Sequence, residues 1–441
     1  MLKKLKDCWI VINMDAEVNP ALTLKGEVQL PADKSISHRV AMFAALAEGE
    51  SVIENYSDAA DPESTLSCLE QLGISVSKKD SKVTISGKGK NGLSKPVSSL
   101  DCGNSGTTMR LMSGILAGAG IECTLIGDHS LSSRTMKRIV DPLQAMGCQI
   151  TTRNGEFAPI DIKPNNGVKG MRYTLPIASA QLKSSVLLAG LYGDMPTEIV
   201  ETVPSRDHTE RLIGLESEAF GTGKLIRSSN KVNVPVQTCR VPGDFSAAAF
   251  WIVAALIHSG SEISLKNVGI NPSRTALLAA LEKMGGNPEI SNPREEGKEP
   301  VADFKIKGNL LKAIELEPAL IPNCIDELPI LMVAMCFADG VSKITGAEEL
   351  RHKETDRLSA MHQILQSAGA ETELHTDGIT IHGSSDFIPK AAEFESHHDH
   401  RMAMAAAVLA TKSKEASIVK DADCTAISYP DFWQHLSNLT S

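Results

Sequence analysis

PADKSISHR, residues 31–39, is the stretch from which the rest of the chain is read. Its small-residue turn places Lys34 and Ser35 on the first turn of a helix, and Ser35 and Arg39, four apart, share a face of it. The N–H groups of a helix's first turn lack partners and the helix dipole is positive there, so anions bind readily. A lysine ammonium, a serine hydroxyl and an arginine fork at that end make a phosphate or carboxylate site. A solvated basic helix start fits these nine residues equally well, and the following chain separates the two readings.

The apolar run RVAMFAALAEG that follows is the first of six helices of one kind. The others lie in CGNSGTTMRLMSGILAGAG, SAQLKSSVLLAGLYG, PGDFSAAAFWIVAALIHSG, CIDELPILMVAMCFADG and HHDHRMAMAAAVLATK, each opened by a polar or glycine turn. A second set alternates with them: ESTLSCLEQLGISV, TMKRIVDPLQAMGCQI, DHTERLIGLESEAFG, SRTALLAALEKMGGNP, TDRLSAMHQILQSAGAE and SYPDFWQHLSN. Several of these end in Met, Leu or Ala followed by Gly, a helix stop, and lead into short strand patterns such as SKVTISGKG and DGITIHGSS. The period is about seventy residues, above the roughly 20 to 50 of solenoid repeats, so each unit is a small α/β motif with antiparallel or mixed sheet. Six units divide into two similar domains of three. The expected division is a discontinuous domain of residues 1–31 and 241–441, holding a first strand at Trp9–Asn13, and an inserted domain of residues 32–240. The chain then crosses between domains twice, near Pro31 and near Arg240–Val241.

Composition narrows the class. At 441 residues the chain exceeds one ordinary core, and 42% hydrophobic with 22% charged residues describes a globular protein. A formal net charge of -10 argues against a nucleic-acid binder working through general basicity, so an anionic ligand must be met by local cationic clusters. Nine cysteines without a CxxC pair suit reduced thiols better than a disulfide framework. No apolar run approaches the roughly twenty residues needed to span a bilayer, and the start turns acidic too soon for a signal peptide. The expected location is therefore the cytoplasm.

The turns that open the apolar helices hold more than caps: Lys34, Ser35 and Arg39; Asn104, Ser105 and Thr107; Ser179 and Gln181; Asp244; Asp326; His400 and Arg401. Capping explains Ser, Asn and Asp, but not Lys, Gln and Arg. If the units close around pseudo-threefold axes, these helix ends converge and their dipoles add into one anion-attracting cleft. Lys353, Glu354 and Arg357 in EELRHKETDRL are spaced to put Arg357 beside both others on one helical face. Ser205 and Arg206 stand at another helix start, and Arg134 lies in a loop between units. HHDH at 397–400 resembles a metal cluster, but neighbouring residues at a helix start point in different directions, and no metal is expected.

These segments resemble one family over nearly the whole chain, the 5-enolpyruvylshikimate-3-phosphate (EPSP) synthases. PADKSISHR is similar to the family's PGDKSISHR, and GNSGTTMR to its GNAGTxMR; SRDHTER, VPGDFSAAAF, IDELPI, ELRHKETDR, DHRMAMA and SYPDF match further blocks in the family's order. The wording of SAQ and SRDHTE is that of the second bacterial class. The resemblance implies an inside-out α/β barrel fold of two domains, each of three βαβαββ units. It implies transfer of an enolpyruvyl group from phosphoenolpyruvate to the 5-hydroxyl of shikimate 3-phosphate, with no cofactor, by a monomer without nucleic-acid or membrane partners.

By the same resemblance, phosphoenolpyruvate falls to Lys34, Asn104, Gly106, Arg134, Gln181, Arg357 and Arg401. Shikimate 3-phosphate falls to Lys34, Ser35, Arg39, Ser179, Gln181, Ser205, Arg206, Asp326 and Lys353. Lys34, Asp326 and Glu354 are the catalytic group: Asp326 accepts the hydroxyl proton and Glu354 delivers one to carbon. That role requires a protonated Glu354, so partial burial is expected to raise its pKa against the pull of Lys353 and Arg357. Three departures stand out: Ala32 for a common glycine, which narrows the backbone angles of the turn, Thr135 for the usual proline after Arg134, and Ile427 where part of the family has a lysine. A sister family transfers the same group to UDP-N-acetylglucosamine, and carries a cysteine where this chain has His129.

Overall fold

The computed structural model describes residues 14–440, so the strand expected at Trp9–Asn13 lies outside the described residues. All six apolar helices form: Lys34–Leu46, Gly106–Ala119, Ala180–Gly190, Phe245–Ile257, Leu328–Cys336 and His400–Ala410. A helix apolar on nearly every face belongs in an interior, and every residue of Phe245–Ile257 and Leu328–Cys336 is buried. Of the alternating set, Ala60–Gln71, Lys137–Ala145, Ala276–Lys283, Arg357–Ser367 and Phe432–Thr440 bury one stripe instead, while the short His208–Ile213 is buried except at Arg211. In Lys137–Ala145 that stripe is Ile139, Val140, Pro142 and Leu143.

Among the described residues the strands make six sheets, five of them four-stranded on one plan. Leu100–Asp101 runs parallel to Cys123–Ile126, which is antiparallel to Phe157–Lys163, which is antiparallel to Gln149–Arg153. Along Phe157–Lys163, Ala158, Ile160 and Ile162 face inward and the residues between them outward. One face packs on the helices and the other meets solvent, as the period of two requires. Helices inside and sheets outside give the inside-out α/β architecture.

Two sheets take their parallel edge strand from far along the chain. Cys239–Arg240 pairs with Glu48–Glu54, and Lys25–Val28 with Glu262–Gly269. The sixth sheet joins Ala16–Val18 and Glu393–Phe394 to Ser417–Val419. The buried apolar residues accordingly form two clusters, one running from Ala32 to Val241 and one joining Val18 to Leu30 with Phe245 to Leu439. The segments passing between the clusters bond to each other: Asp33 N donates to Pro242 O at 2.8 Å and Asp244 N to Pro31 O at 2.9 Å. Ala32 bridges Gly243 there without a positive φ, so its methyl group meets none of the constraint expected of it. Arg274, 3% exposed, pins the crossing by reaching Ser246 Oγ at 2.7 Å, Asp244 at 3.4 Å and Asp33 at 3.7 Å.

Two expectations fail locally. DHTERLIGLESEAFG is helical only over His208–Ile213; Gly214 ends it in the left-handed region (φ 81°), and Glu216–Phe220 is an edge strand. That strand is exposed at every position, so no burial pattern marked it in the sequence. EELRHKETDRL is not one helix: a 3-10 turn spans Glu348–His352, the α-helix begins at Arg357, and Lys353 and Glu354 lie in the loop between.

Gly114 and Gly118 mark where Gly106–Ala119 crosses Ala180–Gly190. A Cβ at 114 would sit 2.2 Å from Ser185 O, and one at 118 would sit 2.9 Å from Ala189 Cα. Gly114→Ala gains up to about 1 kcal/mol of helix propensity and meets an overpacking cost of about 1–3 kcal/mol. The expected outcome is a lowered urea midpoint, and an unchanged or raised midpoint would show that the crossing has room to spare.

Candidate active site

The starts of all six apolar helices open into one cleft of about 910 Å³. Lys34 and Ser35, Gly106 and Thr107, Ser179 and Gln181 line one wall, and Asp244, Asp326, His400 and Arg401 the other. Each helix but Leu328–Cys336 is capped by the side chain just before it: Asp33 accepts from Ile36 N at 2.9 Å, Ser105 from Thr108 N, Ser179 from Leu182 N, Asp244 from Ser246 N and Asp399 from Arg401 N. Capping therefore accounts for these five side chains and leaves the cationic residues free to face the cleft.

Arg357 is the centre of the second wall. Only 1% exposed, its guanidinium meets Asp399 at 2.8 Å, Glu354 at 2.6 Å and Asp326 at 3.3 Å. Asp326 also receives Arg206 from the opposite wall at 2.5 Å, with Arg401 at 3.7 Å, and Arg134 approaches Glu354 across the cleft at 3.6 Å. The pairing expected between Glu354 and Arg357 is present, but it is made by a loop folding back on a helix start.

This setting reverses the expected ionisation of Glu354. Burial pushes its pKa up, but Arg357 and Arg134 outweigh burial and hold it well below the usual carboxylate range. Asp326 behaves alike: burial raises it, and Arg401, Arg206, Lys353 and Arg357 together keep it well below its ordinary value. Lys353 shifts down, chiefly because it is buried.

Lys34, Ser35, Gly106, Arg134, Ser179, Gln181, Ser205, Arg206, Asp326, Lys353, Glu354, Arg357 and Arg401 all line the cleft. Asn104 and Arg39 stand behind it. Asn104 accepts from Arg134 at 2.7 Å, and Arg39 donates to Ser35 O at 3.0 Å, to Ser184 Oγ and to Thr209 Oγ1. Ser205 spends both of its donors, N–H and O–H, on buried Glu201. Thr135 is held by a bridge to Phe157, which ties the loop after Arg134 to a strand without the proline. HHDH is dispersed: His397 and His398 lie in the left-handed region, Asp399 binds Arg357, and His400 is buried. Among the described residues no group of three or more His, Cys, Asp or Glu is arranged to hold a metal ion.

The sequence reading missed Asp61, Arg110, Arg138, Arg274 and Glu349. Asp61 pairs with Lys34 at 3.1 Å. Arg110 donates to Gln181 at 2.6 Å, and Gln181 in turn to Thr107 at 3.0 Å. Burial, with Arg138 and Arg134 nearby, brings the Arg110 pKa down to about 9. A signal for Arg110 was present, because it lies four residues after Gly106 on one helical face. A Cβ at Gly106 would stand 2.8 Å from its guanidinium. Asp61 and Glu349 carried no such signal, since Lys34 and Arg138, the cations they bond, come from other segments.

Asp326 and Glu354 titrate lower folded than unfolded, so on acidification the unfolded chain takes up these protons first. Their stabilisation is full above the ordinary carboxylate range, and it is lost progressively as pH falls from that range through the lower folded values. Arg357→Met takes from three carboxylates the one guanidinium they share, leaving Asp326 with Arg206 and Arg401 and Glu354 with Arg134; it should lower the thermal midpoint at pH 7, by the equivalent of about 3–5 kcal/mol, and flatten the fall below about pH 5. An unchanged midpoint at pH 7 would contradict the central place given to this guanidinium.

Residues 18–436 match the family model described as EPSP synthase (3-phosphoshikimate 1-carboxyvinyltransferase). The chain is 48% identical over 426 residues to a 3-phosphoshikimate 1-carboxyvinyltransferase of Salinibacter ruber, covering 96% of this chain and 99% of that one. Against the protein of the same name from Syntrophomonas wolfei it is 44% identical over 428 residues, covering 96% and 100%. The solved EPSP synthase of Acinetobacter baumannii superposes with a TM-score of 0.85 at 38% identity, covering 97% of this chain and 98% of that one. The enolpyruvyl transferase NikO of Streptomyces tendae shares the fold at 16% identity, with a TM-score of 0.74 and 96% of each chain covered. With the sixfold scaffold and its cationic cleft in place, these matches place the chain in the EPSP synthase (3-phosphoshikimate 1-carboxyvinyltransferase) family.

Proposed function

We propose that this protein transfers the enolpyruvyl group of phosphoenolpyruvate to the 5-hydroxyl of shikimate 3-phosphate, releasing phosphate and giving 5-enolpyruvylshikimate 3-phosphate. The observation that carries the reading is the pairing of Glu354 and Asp326 on one buried guanidinium, inside a cleft ringed by Lys34, Arg134, Arg206 and Arg401. The substrates bring two phosphates and two carboxylates, and a phosphate alone carries about -1.5 to -2 at pH 7. Such a load needs several cations and the positive ends of helices, and both are present.

In this reading Lys34, Gly106, Arg134, Gln181, Arg357 and Arg401 hold phosphoenolpyruvate, with Asn104 fixing Arg134 from behind. Lys34, Ser35, Ser179, Gln181, Arg206, Asp326 and Lys353 hold shikimate 3-phosphate, Ser205 lines the site with its donors on Glu201, and Arg39 acts by fixing the Ser35 backbone. Asp326, ionised, accepts the proton of the attacking hydroxyl as its oxygen bonds to the central carbon of phosphoenolpyruvate. Glu354 gives a proton to the methylene carbon, making a methyl group. The tetrahedral adduct then expels phosphate as Glu354, now ionised, takes back one methyl proton, restoring the double bond. Glu354 must first gain that proton. Substrate anions claiming Arg357 and Arg134 remove the charges that hold its pKa down, so binding itself raises it.

Residues 1–31 with 241–441, and residues 32–240, are the two bodies that we read as closing on the substrates. Closure expels water and strengthens each of these contacts. A monomer in the cytoplasm is the proposed working state. Among the described residues no single helix is long and apolar enough to cross a membrane.

The test is phosphate release from phosphoenolpyruvate with shikimate 3-phosphate, with UDP-N-acetylglucosamine and with no acceptor. Release is expected with the first only, and release with the second would move the protein to the sister reaction. Glu354→Gln should lower kcat by about 10²- to 10⁴-fold; a pH–rate profile matching wild type in shape and height would remove Glu354 from its role.

A further inference from the structure

Three guanidiniums crowd the wall built from residues 106–138. Arg110 lies on Gly106–Ala119, Arg134 in the loop after the short helix His129–Ser132, and Arg138 in the first turn of Lys137–Ala145. The first turn is the positive end of a helix, so Arg138 sits against the local field as well as beside two like charges. Among the described residues the ion-pair partners of Arg134 and Arg138 both come from the opposite wall, Glu354 at 3.6 Å and Glu349 at 2.9 Å. Glu349 belongs to the 3-10 turn Glu348–His352, immediately before Lys353 and Glu354, and is itself 4.0 Å from Lys353.

The ion pairs that cross the cleft differ in what substrate binding does to them. Arg206–Asp326 and Arg134–Glu354 join groups that take up substrate, so occupancy competes with them. Arg138 and Glu349 have no substrate role in the proposed reaction, so no substrate group in it competes for their bond. Their side chains are 22% and 36% exposed, where the bond can break and re-form as the walls part and meet.

We infer that Arg138 and Glu349 form an ionic latch, a pair of positioning residues that holds the Lys353–Glu354 loop against the Arg110–Arg134 wall and thereby sets the affinity for phosphoenolpyruvate. The inference rests on the reaction proposed above. A latch stabilises the closed, binding-competent arrangement, and weakening it lowers apparent affinity by the fraction of molecules left open. Simple electrostatics predicts something else. Removing the negative charge of Glu349 would tighten an anion, and removing the positive charge of Arg138 would loosen it.

Steady-state kinetics at saturating shikimate 3-phosphate, with phosphoenolpyruvate varied, separates the two. Arg138→Gln and Glu349→Gln should each raise KM by about two- to fivefold, the range of a partly exposed charge pair, with kcat unchanged. The double variant should be no worse than the weaker single, and Arg138→Lys, which keeps the charge, should recover part of the loss. Thermal midpoints equal to wild type exclude misfolding, and the lysine variant carries the comparison if a glutamine variant is unstable. Opposite signs for the two single variants, multiplying effects, or an unchanged KM overturns the latch while wild-type turnover leaves the reaction standing. A wild type inactive with these two substrates overturns both.

Discussion

The side chain of Arg357 is the constraint on which the cleft depends. A guanidinium buried to 1% exposure is costly to desolvate, and three carboxylates, Asp399, Glu354 and Asp326, offset that cost together. Each comes from a different segment. Asp399 also caps the helix His400–Ala410 through Arg401 N, so one carboxylate fixes the direction of that helix and the position of the arginine. Glu354 reaches Arg357 from a loop, and Asp326 from just before another apolar helix. The two groups assigned to proton transfer are thus held near each other by a third residue that binds both.

The scaffold makes this arrangement possible by bringing six helix starts to one place. Apolar helices form the interior of each half, and glycines such as Gly114 allow them to cross at backbone contact. The positive ends of their dipoles then face one cavity, and the cations at those ends meet carboxylates from the facing wall. A chain of net charge -10 thereby keeps a strongly cationic cleft. The two crossing segments, bonded to each other and pinned by Arg274, lie between the two apolar clusters.

Much of this was legible because it is periodic or contiguous. The six apolar helices were found from runs whose every face is apolar, and Lys34, Ser35, Gln181 and Arg401 from their place at helix starts. Failures came where context overrides pattern. Glu216–Phe220 carries no burial alternation because both its faces are exposed. Arg39 and Asn104 read as cleft residues, yet Arg39 is consumed by Ser35 O and Thr209 and Asn104 by Arg134. Ala32 looked constrained, whereas its bridge to Gly243 asks for no positive φ.

Spacing along one chain is enough to mark which segments are interior helices, where each begins and which cationic and acidic residues stand at those beginnings. Tertiary structure decided what those residues do to one another. Glu354 shows the difference: burial alone argues for a raised pKa, but arginines 134 and 357, one from across the cleft and one three residues along the chain, drive it down. Coulombic terms depend on distance in space, and the distance between Arg134 and Glu354, 220 residues apart in sequence, exists only once the two walls meet.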